Sequence, residues 1–335
     1  MARGRASRWL VGQWRHPSLP GMLVLRPLSW LFRFLVAVRR AGFCMGVTRR
    51  VRLPVPVIVV GNITVGGSGK TPLVIHLVEY LAAHGLRPGV VSRGYGSVSA
   101  APRRIDAGSG PADAGDEPVL IALRTGRPVA VGVDRAAAAR LLLDDCDVIV
   151  ADDGLQHYAL ARDLEIAVVD GDSGLGNGRM LPAGPLREPR GRLRRVDFVA
   201  VRDGDRPGAF GFSVRPGAAR SLAGNTADVE LGQWRGRRVH AVAGIGVPER
   251  FFGQLEDAGL DVERHAFGDH HPFVAADLAF GDDAAVLMTE KDAVKCRPFA
   301  DERMWFVPAE IIDRDDLAQA VVERLEGVSH GSPAA

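Results

Sequence analysis

Val55-Pro-Val-Ile-Val-Val60 leads into Gly61-Asn-Ile-Thr-Val-Gly-Gly-Ser-Gly-Lys-Thr-Pro72, and this joint decides the fold. The apolar run has the length and β-branched content of a strand buried on both faces, as in a parallel sheet. Behind it, Leu73, Leu77, Val78, Leu81 and Ala82 fall at helical spacing over Leu73–Leu86, with Gly85 as the stop. Strand, glycine-rich turn and helix in that order are the context of a phosphate-binding loop. Glycines let the backbone curl so that successive N–H groups face phosphate oxygens, and the helix N-terminus adds partial positive charge. The spacing predicts that Thr64, Val65, Gly66, Gly67, Ser68, Gly69, Lys70 and Thr71 wrap the phosphates of ATP. Lys70 would reach the β- and γ-phosphates, and the Thr71 hydroxyl would bind Mg2+. Pro72 suits the first helical turn, where its missing N–H costs little. Thr64 stands where the usual pattern has glycine, so Gly66 and Gly67 supply the flexibility instead.

Outward from this loop the alternation continues. Gly89–Ser92, Val148–Ala151, Ile166–Val169 and Phe198–Val201 read as strands, and Asp134–Leu143 as a helix. Residues 97–115 and 171–195 are rich in Gly and Pro and read as loops. After a polar stretch near 203–235, Val239–Ala243, Val286–Thr289 and Trp305–Val307 are strand-like, and Pro248–Ala258 and Asp316–Leu325 helix-like. The expected fold is α/β. It has a P-loop NTPase-type parallel sheet with flanking helices, a smaller C-terminal α/β subdomain and an N-terminal amphipathic membrane helix. The expected division is a basic arm over residues 1–50, a P-loop domain over 51–225 and a subdomain over 226–330.

Charge is unevenly spread. Residues 1–52 hold eleven Arg and no acidic residue, which leaves 31 basic against 40 acidic residues beyond them. Such an arm meets anionic lipid, nucleic acid or an import receptor. Leu19–Gly42 is apolar but interrupted by Arg26 and Arg33, with Pro27 near its start. Arg26, Arg33 and Arg40 form one helical stripe, and Trp9, Trp14 and Trp30 lie in the same arm. That pattern describes a helix lying in a lipid interface with snorkelling Arg heads. The plainer alternative is a helix packed on its own domain. Cys44, Cys146 and Cys296 form no Cys-x-x-Cys pair, which argues against a disulfide framework or a zinc site and for a reducing compartment.

Val148-Ile-Val-Ala-Asp-Asp153 is an apolar strand ending in two carboxylates, where an acid holding Mg2+ directly or through water belongs. In an open parallel sheet ligands gather at the C-terminal strand ends, so Asp152, Asp153, Gln156 and His157 are expected to face the crevice of Lys70. The plain alternative is a capped turn whose Asp residues bond only backbone. An acceptor hydroxyl also needs a base or an orienting carboxylate. Asp116, in Gly-Asp-Glu-Pro118, is one candidate, although it also reads as a helix cap. Asp269-His270-His271 is another, for proton transfer or for a metal cluster with His265.

Taken together these stretches resemble the tetraacyldisaccharide 4'-kinase family, the lipid A 4'-kinases of Gram-negative bacteria. The resemblance rests on Gly61–Pro72, Ser92–Gly96, Gly115–Pro118, Asp152–His157, Gly176–Gly178, Leu181–Glu188, Ala243–Gly246, Pro248–Phe252, Asp269-His270 and Thr289–Lys295. It implies transfer of the ATP γ-phosphate to the 4'-hydroxyl of a tetraacylated glucosamine disaccharide 1-phosphate. It also implies a membrane-associated enzyme on the cytoplasmic side of the inner membrane. It implies an Asp–His pair that activates the acceptor, mapped to Asp116 and to His270 or its neighbour His271. Arg187 would hold a substrate phosphate or the moving phosphoryl group. Partners implied are the lipid A precursor and anionic membrane lipids, with no nucleic acid and no obligate protein partner. The rival is a membrane-associated P-loop nucleotide switch that is not a kinase. Against its GTPase form, Asp292 directly follows Lys291 in Thr289-Glu-Lys-Asp292, so the guanine-binding spacing fails. An ATPase using the Arg arm on nucleic acid is disfavoured by the arm's apolar content.

Overall fold

The computed structural model describes residues 2–94, 101–106, 108–224 and 226–329. Tyr95 and Gly96, the end of the Ser92–Gly96 stretch, lie outside the described residues. In chain order the elements begin with α1 (Ala2–Arg15), α2 (Leu19–Cys44), β1 (Val57–Gly61), α3 (Lys70–Ala83) and β2 (Pro88–Ser92). Next come β3 (Arg103–Arg104), α4 (Pro111–Ala114), α5 (Asp116–Thr125), β4 (Val129–Val131), α6 (Arg135–Arg140) and β5 (Val148–Asp152). There follow β6 (Leu164–Asp170), β7 (Phe198–Arg202), β8 (Phe210–Pro216), β9 (Arg220–Ser221), β10 (Arg238–Ala243), α7 (Pro248–Asp257) and β11 (Asp261–Ala266). The chain closes with β12 (Ala285–Thr289), α8 (Glu290–Cys296), β13 (Met304–Val307), β14 (Ala309–Asp313) and α9 (Leu317–Ser329).

Two compact units result. The first takes the chain up to Lys70, Cys146–Phe212 and the chain from Asp313; the second takes Thr71–Asp145 and Ser213–Ile312. In the first unit β8, β7, β6, β1 and β5 are neighbours in that order, and all these pairings are parallel. Every residue of β1 is buried, which is why its sequence carries no polar face. Val60 pairs with Asp152, so the start of the glycine-rich loop and the acidic strand end lie side by side.

Helix α2 starts at a Ser18 cap whose hydroxyl accepts the Gly21 N–H. Its Met22 and Leu25 pack with Ala183, and Ser29 Oγ donates to the Met180 carbonyl at 2.8 Å. From α1, Trp14 Nε1 donates to the Pro182 carbonyl at 2.9 Å. The arm is therefore seated on the first unit along one stripe. Leu19, Leu23, Trp30, Leu31, Phe34 and Leu35 remain exposed. Only 22% of the most apolar window of α2 is buried, so it is not an ordinary core helix. By length and composition alone it is sufficient to cross a membrane.

In the second unit β2, β4 and β3 are neighbours, with β3 antiparallel. A five-stranded sheet runs β11-β10-β12-β13-β9, antiparallel only at β9. Phe251, Phe252 and Leu255 of α7 pack with Trp234 and Trp305, whose rings meet edge-on at 5.3 Å. Two stretches depart from expectation. Residues 97–115, expected as loop, contain β3 and the single-turn α4, and the polar 203–235 stretch contains β8 and β9. Strand β8 buries Phe212 and Val214, but the alternation of Phe210, Phe212 and Val214 covers only five residues at the end of a Gly- and Asp-rich stretch.

Phe252 is fully buried. Phe252→Ala is expected to destabilise the second unit by about 3–5 kcal/mol, read as a lowered denaturant midpoint. An unchanged midpoint would show that this core does not hold the unit.

Candidate active site

The glycine-rich loop of the first unit is built from inside. Gly66 and Gly69 take φ of +116° and +81°, values that residues with a side chain rarely adopt. Asn62, fully buried, spans the loop: its Nδ2 donates to the Gly66 carbonyl and to Ser68 Oγ, both at 3.3 Å. Its Oδ1 accepts from Lys70 Nζ at 3.1 Å. Thr64 forms an antiparallel bridge with Leu186; Val65 N donates to Pro185 O at 2.9 Å and Arg187 N to Ile63 O at 2.7 Å. The 181–188 segment is thus sewn to the phosphate loop, which explains why two distant motifs meet.

This stitching delivers Arg187 to Asp153. Lys70 Nζ lies 2.7 Å from Asp153 Oδ1, and Arg187 Nη1 lies 3.0 Å from Asp153 Oδ2. Burial disfavours the Asp153 carboxylate, but the charges of Lys70 and Arg187 outweigh it and bring its pKa down to about 2. Asp152 is buried at the end of β5. Gln156 Nε2 donates to Asn62 O at 3.0 Å and to Glu188 Oε1 at 2.9 Å. Glu188 also accepts from Tyr158 and pairs with Arg192. Burial first, and Glu188 second, push the Tyr158 pKa up to about 12, so the phenol stays a donor. His157 enters the turn through its backbone, donating N–H to Gly154 O and accepting from Arg162. Lys70, Asp153, Gln156 and Arg187 therefore form one network. Asn62 and Glu188 were given no role from sequence, since a lone polar residue inside a motif does not announce what it braces.

The second unit holds a separate cluster. Asp116 is the first residue of α5, with Gly115 rather than Asp116 as the cap. His270 Nδ1 lies 3.0 and 2.9 Å from the two Asp116 oxygens, and Glu117 N donates to Asp116 Oδ1 at 3.0 Å. Of the two adjacent histidines, His270 makes this pair; His271 Nε2 instead meets Asp277 at 3.0 Å. Two cations surround Asp116. Lys291 and Lys295 Nζ are each 3.9 Å from it, Lys291 being held by Glu117 and Lys295 by Asp292. Arg124 on α5 pairs with Glu290 on α8 at 3.0 Å and fixes the two helices. Burial opposes ionisation of Asp116, yet the His270 hydrogen bond and the Lys291 charge keep its pKa below the usual 3.8. The Asp116 hydrogen bond holds His270 above its usual 6.5. Asp116 is nearly inaccessible and His270 is about one-third exposed; the other ring nitrogen of His270, Nε2, lies 3.5 Å from Lys291 Nζ. Within Thr289–Lys295 it is Lys291 and Lys295 that reach Asp116. His265 does not join Asp269–His271; it lies with His240 and Glu263.

A sequence model of the tetraacyldisaccharide-1-P 4'-kinase family matches residues 22–326. A tetraacyldisaccharide 4'-kinase of Alkalilimnicola ehrlichii is 57% identical over 290 residues, covering 85% of this chain and 87% of its own. One from Methylobacillus flagellatus is 50% identical over 325 residues, covering 95% and 96%. Among solved structures, LpxK from Aquifex aeolicus in complex with ATP matches with a TM-score of 0.76 at 28% identity, over 91% of this chain and 98% of that one. With a matched span that takes in the phosphate loop, the acidic strand end and the Asp116–His270 pair, the chain belongs to the tetraacyldisaccharide-1-P 4'-kinase family.

Proposed function

We propose that this chain transfers the γ-phosphoryl group of ATP to the 4'-hydroxyl of a tetraacylated glucosamine disaccharide 1-phosphate, a lipid A precursor, at the cytoplasmic face of the inner membrane. Family membership supports the reaction and disfavours a nucleotide switch without kinase activity. The observation that carries it is the pairing of Lys70 and Arg187 on Asp153 beside the curled loop. Two cations held there meet a triphosphate, with the N–H groups of Thr64–Thr71 around it. The donors also suit Mg2+. Thr71 offers a hydroxyl and Asp152 a buried carboxylate, both hard oxygen ligands, while Asp153 is already shared by two cations. When bound, the ion neutralises charge on the phosphate oxygens.

In the second unit His270 acts as the base, held by Asp116 in the tautomer with Nδ1–H, so that Nε2 takes the proton of the 4'-hydroxyl. The sugar oxygen bonds to the γ-phosphorus as the bond to the β–γ bridging oxygen breaks, and ADP leaves. Arg187 holds a substrate phosphate or the moving phosphoryl group, and Gln156 and His157 are the further residues assigned to the substrate. A lipid acceptor cannot leave the bilayer cheaply, since each exposed CH2 costs about 0.8 kcal/mol. The exposed face of α2 brings the enzyme to it, with Arg26 and Arg33 on anionic headgroups.

Lys70→Ala should lower kcat about 100- to 1,000-fold with γ-labelled ATP and a lipid A disaccharide precursor; normal turnover would exclude the loop from the reaction. As pH falls through the raised pKa of His270 the base form is lost, so kcat/KM should fall along an acid limb centred above 6.5. Asp116→Asn should move that limb to lower pH and cut kcat about 100- to 10,000-fold; a limb that stays in place would refute His270 as the base. Leu31→Glu with Phe34→Glu should weaken sedimentation with anionic vesicles at least tenfold. Undiminished vesicle binding would remove α2 as the anchor.

A further inference from the structure

We propose that His240, Glu263 and His265 form a zinc site in the second unit, apart from the residues of the kinase reaction. Strands β10 and β11 are parallel neighbours, and their register pairs His240 with Glu263. His265 is two residues further along β11, so it emerges on the same face of the sheet as Glu263. His240 Nδ1 and His265 Nε2 are 3.0 Å apart; His240 Nδ1 lies 3.8 Å from Glu263 Oε2 and His265 Nε2 lies 3.8 Å from Glu263 Oε1. A tetrahedral zinc with ligands at about 2.0–2.2 Å has donor-to-donor edges of about 3.4 Å. The histidine pair is a few tenths of an ångström inside that length and each carboxylate oxygen a few tenths outside it from its own histidine, so small shifts bring one or both Glu263 oxygens to the metal.

The surroundings are those of a metal ligand. Buried His240 has its other nitrogen, Nε2, 2.9 Å from Asp282 Oδ1. That bond puts the ring proton on Nε2 and leaves the Nδ1 lone pair facing His265 and Glu263. Carboxylate behind histidine is the arrangement that orients a zinc ligand and raises its basicity. Phe280 stacks on both imidazoles, with centroids at 4.2 and 4.0 Å, and fixes their planes. Arg238 grips Glu263 and limits its rotation. Since His240 Nδ1 accepts, His265 Nε2 must donate to it. On zinc binding that ring proton moves through solvent to His265 Nδ1, so His265 stays neutral and offers its Nε2 lone pair, and a water completes the shell because Glu263 and His265 are partly exposed. Two histidines and a carboxylate need no thiolate, so the scarcity of cysteine does not count against the site.

The test uses the full chain, treated with chelator and titrated with Zn2+ alone, with bound metal counted after gel filtration. Co2+ titration, read by its visible absorption, reports the ligand geometry. The expected result is one Zn2+ per chain at this site, with a rise in melting temperature. His265→Gln should weaken that binding at least 100-fold and abolish the rise, while kinase activity is kept. Asp282→Asn, which leaves all three ligands in place, should weaken it about 10- to 100-fold. Absence of stoichiometric binding by the wild-type chain would overturn the proposal. So would His265→Gln binding Zn2+ as tightly as wild type, or, should that variant misfold, Asp282→Asn doing so.

Discussion

Two cations, Lys70 and Arg187, share one carboxylate, Asp153, at the end of a buried strand. Neither reaches it by chance. Lys70 is aimed by Asn62, which also ties down the glycine-rich turn, and Arg187 arrives because its segment is bridged to Thr64 through Leu186. Asp153 itself sits at φ +47°, a conformation held by its surroundings rather than preferred locally. The carboxylate keeps both cations oriented and partly neutralised. A triphosphate brings more negative charge than one carboxylate, so it can draw the same cations without reorganising the loop that carries them.

The same design, a carboxylate among cations, recurs in the second unit. There a buried carboxylate, Asp116, is kept ionised by Lys291, Lys295 and the His270 ring. His270 also lies at positive φ, +60°. Two of the four non-glycine residues with positive φ among the described residues thus lie in the two candidate clusters, and stored strain is commonly found at functional sites.

Much of this was legible in the chain. The strand, loop and helix from Val57 to Ala83 could be read because a fully buried strand, a phosphate loop and an amphipathic helix each leave a local pattern. Strand β8 and the short β3 were not, since β8 has only three alternating apolar positions after a Gly- and Asp-rich stretch and β3 is two arginines. The Asp116–His270 pair spans 154 residues, and no local spacing connects them; only the family resemblance drew the two together. Choosing between His270 and His271 required coordinates, because the choice depends on a left-handed turn at His270 and on Asp277. Asn62 and Glu188 stayed silent for a different reason. Their work is to satisfy neighbours, and a satisfied bond leaves no periodicity in sequence.

The division of the chain has its own consequence. The backbone passes between the two units after Lys70, Asp145, Phe212 and Ile312. Four covalent crossings mean that neither unit is a contiguous stretch, so no single scission yields either one whole. A fragment library cut at one site would therefore recover neither half.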